Sequence, residues 1–141
     1  MSAFLLDTNC VSELVRVRPE PRVQKWVEAA DENLLYLSVL TLGEIRKGIA
    51  CLPQGTRRTR LETWLEVDLR PRFAGRILTI DEPIADRWGA LTGEAIRRGR
   101  VLSAIDALLA ATALEYNLTI VSRNIGHFAA VQVPVLNPWE A

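Results

Sequence analysis

Short apolar runs alternate with longer stretches of helical periodicity along almost the whole chain, and this alternation restricts the fold more than any other feature. Residues 3–6 are four consecutive apolar side chains that stop at Asp7, the pattern of a strand covered on both faces. Further strands are expected at 34–39, 76–80 and 118–121, with a fifth at 131–136 that Pro134 confines to an edge. Helical periodicity fills the gaps. It runs from about 9 to 17, restarts after Pro19 and Pro21, and places Val23, Trp26, Val27 and Ala30 on one face. Further helices are expected from about 42 to 51, over 56–69, from Pro83 through Ile84, Trp88, Leu91 and Ala95, and from about 103 to 116. A short helix holds Ile125 and Phe128. Strands separated by helices join as parallel neighbours, and the connecting helices cover both faces of the sheet. The expected class is α/β: a three-layer α/β/α sandwich around a central, mostly parallel sheet of four to five strands. Ligands bind such sheets beyond the carboxyl ends of the strands, so the positions to inspect follow Leu6, Val39, Ile80 and Val121.

The length, 141 residues, fits one domain over 1–141. No apolar run approaches the roughly 20 residues of a membrane helix. The amino terminus has no basic start and is interrupted by Asp7, so it is not expected to be a signal peptide. Cys10 and Cys51 lie far apart and outside any CxxC pattern, which fits free thiols in a reducing cytoplasm. With His127 as the single histidine, a zinc site has too few ligands.

Three acids fall where the sheet argument points. Asp7 follows the first strand, Glu44 is expected in the first turn of the helix after the second strand, and Asp106 opens the apolar helix. Each has a plainer explanation as a helix-terminal residue. Asp7 can be an N-cap, Thr41 to Glu44 has the capping-box spacing, and Ser103 to Asp106 is a weaker version of it. Burial argues against capping alone. Asp7 ends a strand expected to be buried, Asp106 is nearly the only charge in a long apolar helix, and neither has a basic residue close by in sequence. A buried carboxylate must be protonated, paired or bound to metal. Crowded carboxylates also raise one another's pKa, and a divalent cation relieves both penalties. Oxygen donors without histidine or thiolate suit Mg²⁺ or Mn²⁺. Asp7 and Asp106 are expected to bind directly, with Glu44 direct or through water. Such an ion can activate water and neutralise charge on a phosphate, which is the chemistry of phosphodiester hydrolysis.

Smaller polar residues share that edge: Thr8 and Asn9 after the first strand, Ser122, Arg123 and Asn124 after the fourth. They are also ordinary loop and cap residues, and Asn124 can cap the short helix after it. The formal net charge is zero, yet lysine occurs only at Lys25 and Lys47. Arginine clusters at 57, 58 and 60, at 70, 72 and 76, and at 97, 98 and 100. Guanidinium forks match phosphate and stack on bases, although charge runs of this kind are also common on solvated helix ends.

Four segments occur in the order seen in PIN-domain proteins. They are Leu5-Leu6-Asp7-Thr8-Asn9, Leu37-Ser38-Val39-Leu40-Thr41-Leu42-Gly43-Glu44-Ile45, Asp106-Ala107-Leu108-Leu109-Ala110-Ala111-Thr112-Ala113 and Ser122-Arg123-Asn124. The chain resembles the VapC toxins of bacterial toxin–antitoxin pairs, and within them FitB-like members. Residues 73–78, Asp81-Glu82-Pro83 and Asn137-Pro138-Trp139 add to that likeness. The resemblance implies a cytoplasmic Mg²⁺- or Mn²⁺-dependent endoribonuclease, often aimed at tRNA or rRNA, that forms a homodimer. It also implies a cognate VapB/FitA-like antitoxin, which blocks the site and carries the toxin onto operator DNA. The family's acidic positions match Asp7, Glu44 and Asp106, and its small polar position matches Thr8 or Asn9. Ser122 and Arg123 would meet substrate together with Thr8 and Asn9. A further acid is common where this chain has Asn124, and another where it has His127. Asparagine retains a carbonyl oxygen but removes a charge, which weakens metal affinity. That departure keeps a second expectation open: a PIN-fold binding module that holds antitoxin or RNA without cutting. A phosphatase or DNA nuclease using the same ion is a third.

Overall fold

The computed structural model describes residues 2–141. Five strands form one sheet: β1 (Ala3–Leu6), β2 (Leu35–Ser38), β3 (Ile77–Leu78), β4 (Leu118–Val121) and β5 (Val135–Leu136). The order is β3-β2-β1-β4-β5 and every pairing is parallel, with Leu5 opposite Tyr36 on one side and Ile120 on the other. The helices are α1 (Thr8–Leu14), α2 (Pro21–Ala29), α3 (Val39–Ala50), α4 (Thr56–Thr63), α5 (Arg70–Arg72), α6 (Glu82–Arg97) and α7 (Ala104–Glu115). A wide π-type turn (Trp64–Leu69) joins α4 to α5, where the N–H of Arg70 reaches back to Leu65 and Pro71 has no N–H to offer.

The period-2 alternation of the strands separates two cores. Leu6, Leu35, Leu37 and Val121 face one side, where they pack with residues of α1, α2, α3 and the α4–α5 stretch. Leu5, Leu118 and Ile120 face the other, against Leu109, Ala110 and Ala113 of α7 and Phe128. The expected three-layer architecture is thus observed. Central α7 is almost wholly apolar because it lies over the middle strands, with Ala107 and all residues from Leu109 to Ala113 buried.

Several boundaries differ from the expectation. The third strand is two residues rather than 76–80, and the fifth is two rather than 131–136. Both are edges, and short edges limit pairing with other chains. α1 ends at Leu14, because the buried carboxylate of Glu13 accepts the backbone N–H of Glu20 at 3.0 Å and turns the chain early. α3 starts at Val39 instead of about 42: Ser38 is its N-cap, its hydroxyl accepting from the N–H of Leu40 at 3.0 Å.

Arg76 secures the β3 edge. Its guanidinium donates to the backbone carbonyls of Glu32, Leu35 and Arg72 and to the Glu32 carboxylate, while lying over the Phe73 ring. Arg76→Ala leaves those carbonyls without their donor and is expected to cost about 2–3 kcal/mol in urea denaturation. A loss no larger than that of an exposed arginine such as Arg97 would show that the contacts are not held in solution. Among the described residues no helix is long and apolar enough to cross a membrane.

Candidate active site

The three acids gather at the carboxyl end of the sheet. Asp7 ends β1, and its backbone N–H extends the pairing by donating to Val121 at 2.9 Å. It is the N-cap of α1 and is also buried, with 7% of its surface exposed. Its Oδ1 accepts the N–H of Thr8 at 2.8 Å, and its Oδ2 accepts the hydroxyl of Ser122 at 2.8 Å. Burial pushes its pKa up, the bonds from Ser122 and Thr8 pull it down, and the charges of Asp106 and Glu44 push it up again. The three carboxylates are therefore electrostatic neighbours, although 99 residues separate Asp7 from Asp106 in sequence.

Glu44 does not close a capping box. With Ser38 as the cap, Thr41 lies inside α3, fully buried, and Glu44 sits in the second turn. The Glu44 carboxylate instead accepts the Thr8 hydroxyl at 2.6 Å, and that hydroxyl lies 3.5 Å from the hydroxyl of Thr41. Asp106 keeps one half of its proposed box, since Ser103 accepts its N–H at 3.2 Å. Its side chain is partly rather than fully buried, at 19% exposure. There it stands 3.5 Å from Nδ1 of His127. His127 lies in a short 3₁₀ helix (Ile125–Phe128) that turns it toward Asp106.

The smaller polar residues divide. Asn9 bridges α1 to the loop after β4: its Nδ2 donates to Ser122 Oγ at 3.2 Å and its Oδ1 accepts the N–H of Arg123 at 3.3 Å. Ser122 is fully buried, so its hydroxyl serves the Asp7 carboxylate rather than an incoming ligand. The Arg123 guanidinium lies 5.5 Å over the Trp139 ring. Asn124 occupies the N-cap position of the 3₁₀ helix without a side-chain capping bond; its backbone N–H donates to Ser122 Oγ at 3.0 Å.

Among the described residues no lysine or arginine forms an ion pair with Asp7, Glu44 or Asp106. Nor do three His, Cys, Asp or Glu side chains converge closely enough there to enclose an ion unaided. This donor set fits a hard cation that keeps part of its water shell and takes one or two carboxylates directly. It does not fit a closed all-protein site.

A groove of about 1050 Å³ opens from Thr8, Asn9 and Glu44 and runs between α1, α3 and α4. Ile45, Ile49 and Trp64 are among its apolar lining, and Arg57 and Arg60 also face it. Other arginines of the sequence clusters are engaged with protein. Arg70 pairs with Glu66, Arg72 and Arg76 with Glu32, and Arg97 and Arg98 with Glu94. Arg58 bonds the Leu52 carbonyl at 3.0 Å.

A parallel α/β/α sandwich with acids from the end of β1, the second turn of α3 and the first turn of α7 defines a class of acid-site α/β proteins. The family model described as "PIN domain" matches residues 4–133, and the chain belongs to that family. It is 41% identical over 136 residues to Toxin FitB of Neisseria gonorrhoeae, covering 96% of this chain and 98% of that one. It is 36% identical to VapC ribonuclease Y4jK of Sinorhizobium fredii, with coverage of 97% and 98%. The crystal structure of FitAcB from Neisseria gonorrhoeae superposes with a TM-score of 0.92 at 40% identity, covering 98% of this chain and 99% of that one. The resemblance drawn from the sequence motifs is thus borne out.

Proposed function

We propose that this chain, acting as one domain, is the toxin of a toxin–antitoxin pair and an endoribonuclease that hydrolyses RNA phosphodiester bonds with Mg²⁺ or Mn²⁺. One observation carries the reading: Asp7, Glu44 and Asp106 share one sheet edge, and among the described residues no lysine or arginine pairs with the negative charge there. PIN-domain ribonucleases generally use divalent metal ions. Asp7 and Asp106 would hold the ion directly, with Glu44 direct or through water. When bound, the cation supplies an activated water and neutralises charge on the phosphate. The chain's own residues prepare that site. Thr8 holds Glu44, Ser122 and the Thr8 N–H hold Asp7, and His127 and Asn124 border Asp106 and Ser122. Arg57 and Arg60 offer phosphate contacts along the groove.

The relatives supply the biological setting. The similar proteins include a toxin and a ribonuclease, and one structure holding a similar chain is FitAB bound to a DNA fragment, with a TM-score of 0.91 at 39% identity. The cognate partner is accordingly an antitoxin of the FitA/VapB type, and operator DNA is reached only through it. An antitoxin segment lying in the groove would cover Thr8 and Glu44 and so close the site. A homodimer acting in the cytoplasm completes the reading.

Cleavage of single-stranded RNA is the direct test. Activity should vanish in EDTA and return with millimolar Mg²⁺ or Mn²⁺. Asp106→Asn should lower it at least about 100-fold, since about 3 kcal/mol of cation-mediated charge stabilisation is at stake. Undiminished cleavage in EDTA, or by the variant, would remove the metal site. Antitoxin binding without cation binding or cleavage would favour the binding module.

A further inference from the structure

Asn9 faces the groove beside Thr8, where a polar residue would ordinarily be assigned to substrate. Its amide is already committed on both sides. The backbone N–H of Arg123 can only donate, so the group facing it at 3.3 Å must be the carbonyl oxygen Oδ1. That fixes the sense of the amide, and Nδ2 is left facing Ser122 Oγ at 3.2 Å as a donor. The N–H of Asn124 supplies a second donor to the same oxygen at 3.0 Å.

A serine hydroxyl has two lone pairs and one proton. With both lone pairs filled, the Ser122 proton has one remaining direction, toward Asp7 Oδ2 at 2.8 Å. Asp7 Oδ1 is held independently by the N–H of Thr8 at 2.8 Å. Each carboxylate oxygen thus has one fixed donor and one unused lone pair, and the carboxylate cannot turn without breaking a bond. Ser122 is fully buried, so no solvent or substrate group can replace Asn9 at its oxygen.

We propose that Asn9 is a positioning residue whose two-armed amide, joining α1 to the loop after β4, locks the Ser122 hydroxyl onto Asp7 and so fixes the Asp7 carboxylate. Asn9 acts through Ser122, not through RNA. This role rests on the reading of Asp7 as a ligand of the nuclease cation. Partners one step behind a metal ligand typically change affinity or activity about 10–100-fold when removed.

The test is a double-mutant cycle of Asn9→Ala and Ser122→Ala in the full chain. Mn²⁺ affinity is measured by calorimetry, and kcat and KM on single-stranded RNA are measured alongside it. Each single variant should weaken Mn²⁺ binding about 10-fold or more and lower kcat, with KM for RNA nearly unchanged. The double variant should match Ser122→Ala within about twofold, because independent sites add and a shared path does not. Asn9→Leu, close to asparagine in volume, repeats the measurement where alanine loosens the loop; thermal melts of each variant verify folding. Multiplying losses, or a raised KM at unchanged Mn²⁺ affinity, would overturn the role and return Asn9 to direct RNA contact. If the unmutated chain neither binds Mn²⁺ nor cuts RNA, the nuclease reading falls and this role falls with it.

Discussion

Asp7→Asn is expected to reduce RNA cleavage by about 10³-fold or more, because a cation-bound site supplies several kcal/mol of transition-state stabilisation and about 4 kcal/mol corresponds to that factor. The fold should survive, since asparagine is as good an N-cap as aspartate. Two neighbours nevertheless notice the change. Ser122 and the Thr8 N–H each offer a donor to Asp7, and an asparagine amide can accept only one of them.

The same substitution has a signature in stability against pH. Burial raises the pKa of Asp7 in the folded protein. An acid whose pKa rises on folding binds its proton more tightly in the native state. Its favourable contribution is complete below the unfolded value, about 3.9, and is lost as pH climbs through the raised folded value. In EDTA the parent chain should therefore lose stability from this group as pH rises above about 4, and Asp7→Asn should flatten that part of the profile. Urea denaturation across a pH series measures it. Superimposable profiles for the two proteins would show that Asp7 is not desolvated. Added Mn²⁺ should restore stability to the parent chain and not to the variant.

Phe73→Ala should produce the largest loss of stability, about 3–5 kcal/mol, as truncation of a buried aromatic usually does. Phe73 is 1% exposed and packs in the core that includes Leu35, Leu37, Leu65 and Leu69. Arg72 and Arg76 cover its ring at 5.4 and 4.9 Å, so the cavity would open beneath two guanidinium groups. The melting temperature should fall by about 10 °C or more for a chain of this size. Phe73 precedes β3, at the end of the sheet opposite the acids, so cleavage well below the melting transition should change little. A loss under about 1 kcal/mol would mean that the site collapses and refills the cavity.

Much of the site was legible because local pattern and global fold agree. The apolar runs before Asp7 and after Asn117, and the apolar helix around Asp106, could only be the middle of a covered sheet and its packing helix. Parallel topology then dictates that residues following β1 and β4 meet at one edge, whatever their distance in sequence. The Thr41–Glu44 capping box was misleading for a local reason. Ser38 competes for the same helix start, and a Ser at the end of a strand carries no mark to show that the helix begins at once.

What the chain determines by itself is thus the order of strands and helices, the two apolar faces, and the positions of the three acids. Tertiary structure alone decides how those acids are held. It buries Asp7 more deeply than Asp106, gives Glu44 to Thr8, turns His127 toward Asp106, and draws Arg123 over Trp139. It also closes the ring of Asn9, Ser122 and Asp7 across more than a hundred residues. The physical reason is the reach of each interaction. Apolar periodicity is written over neighbouring positions, whereas a hydrogen bond of about 3 Å depends on which two distant loops the sheet brings side by side.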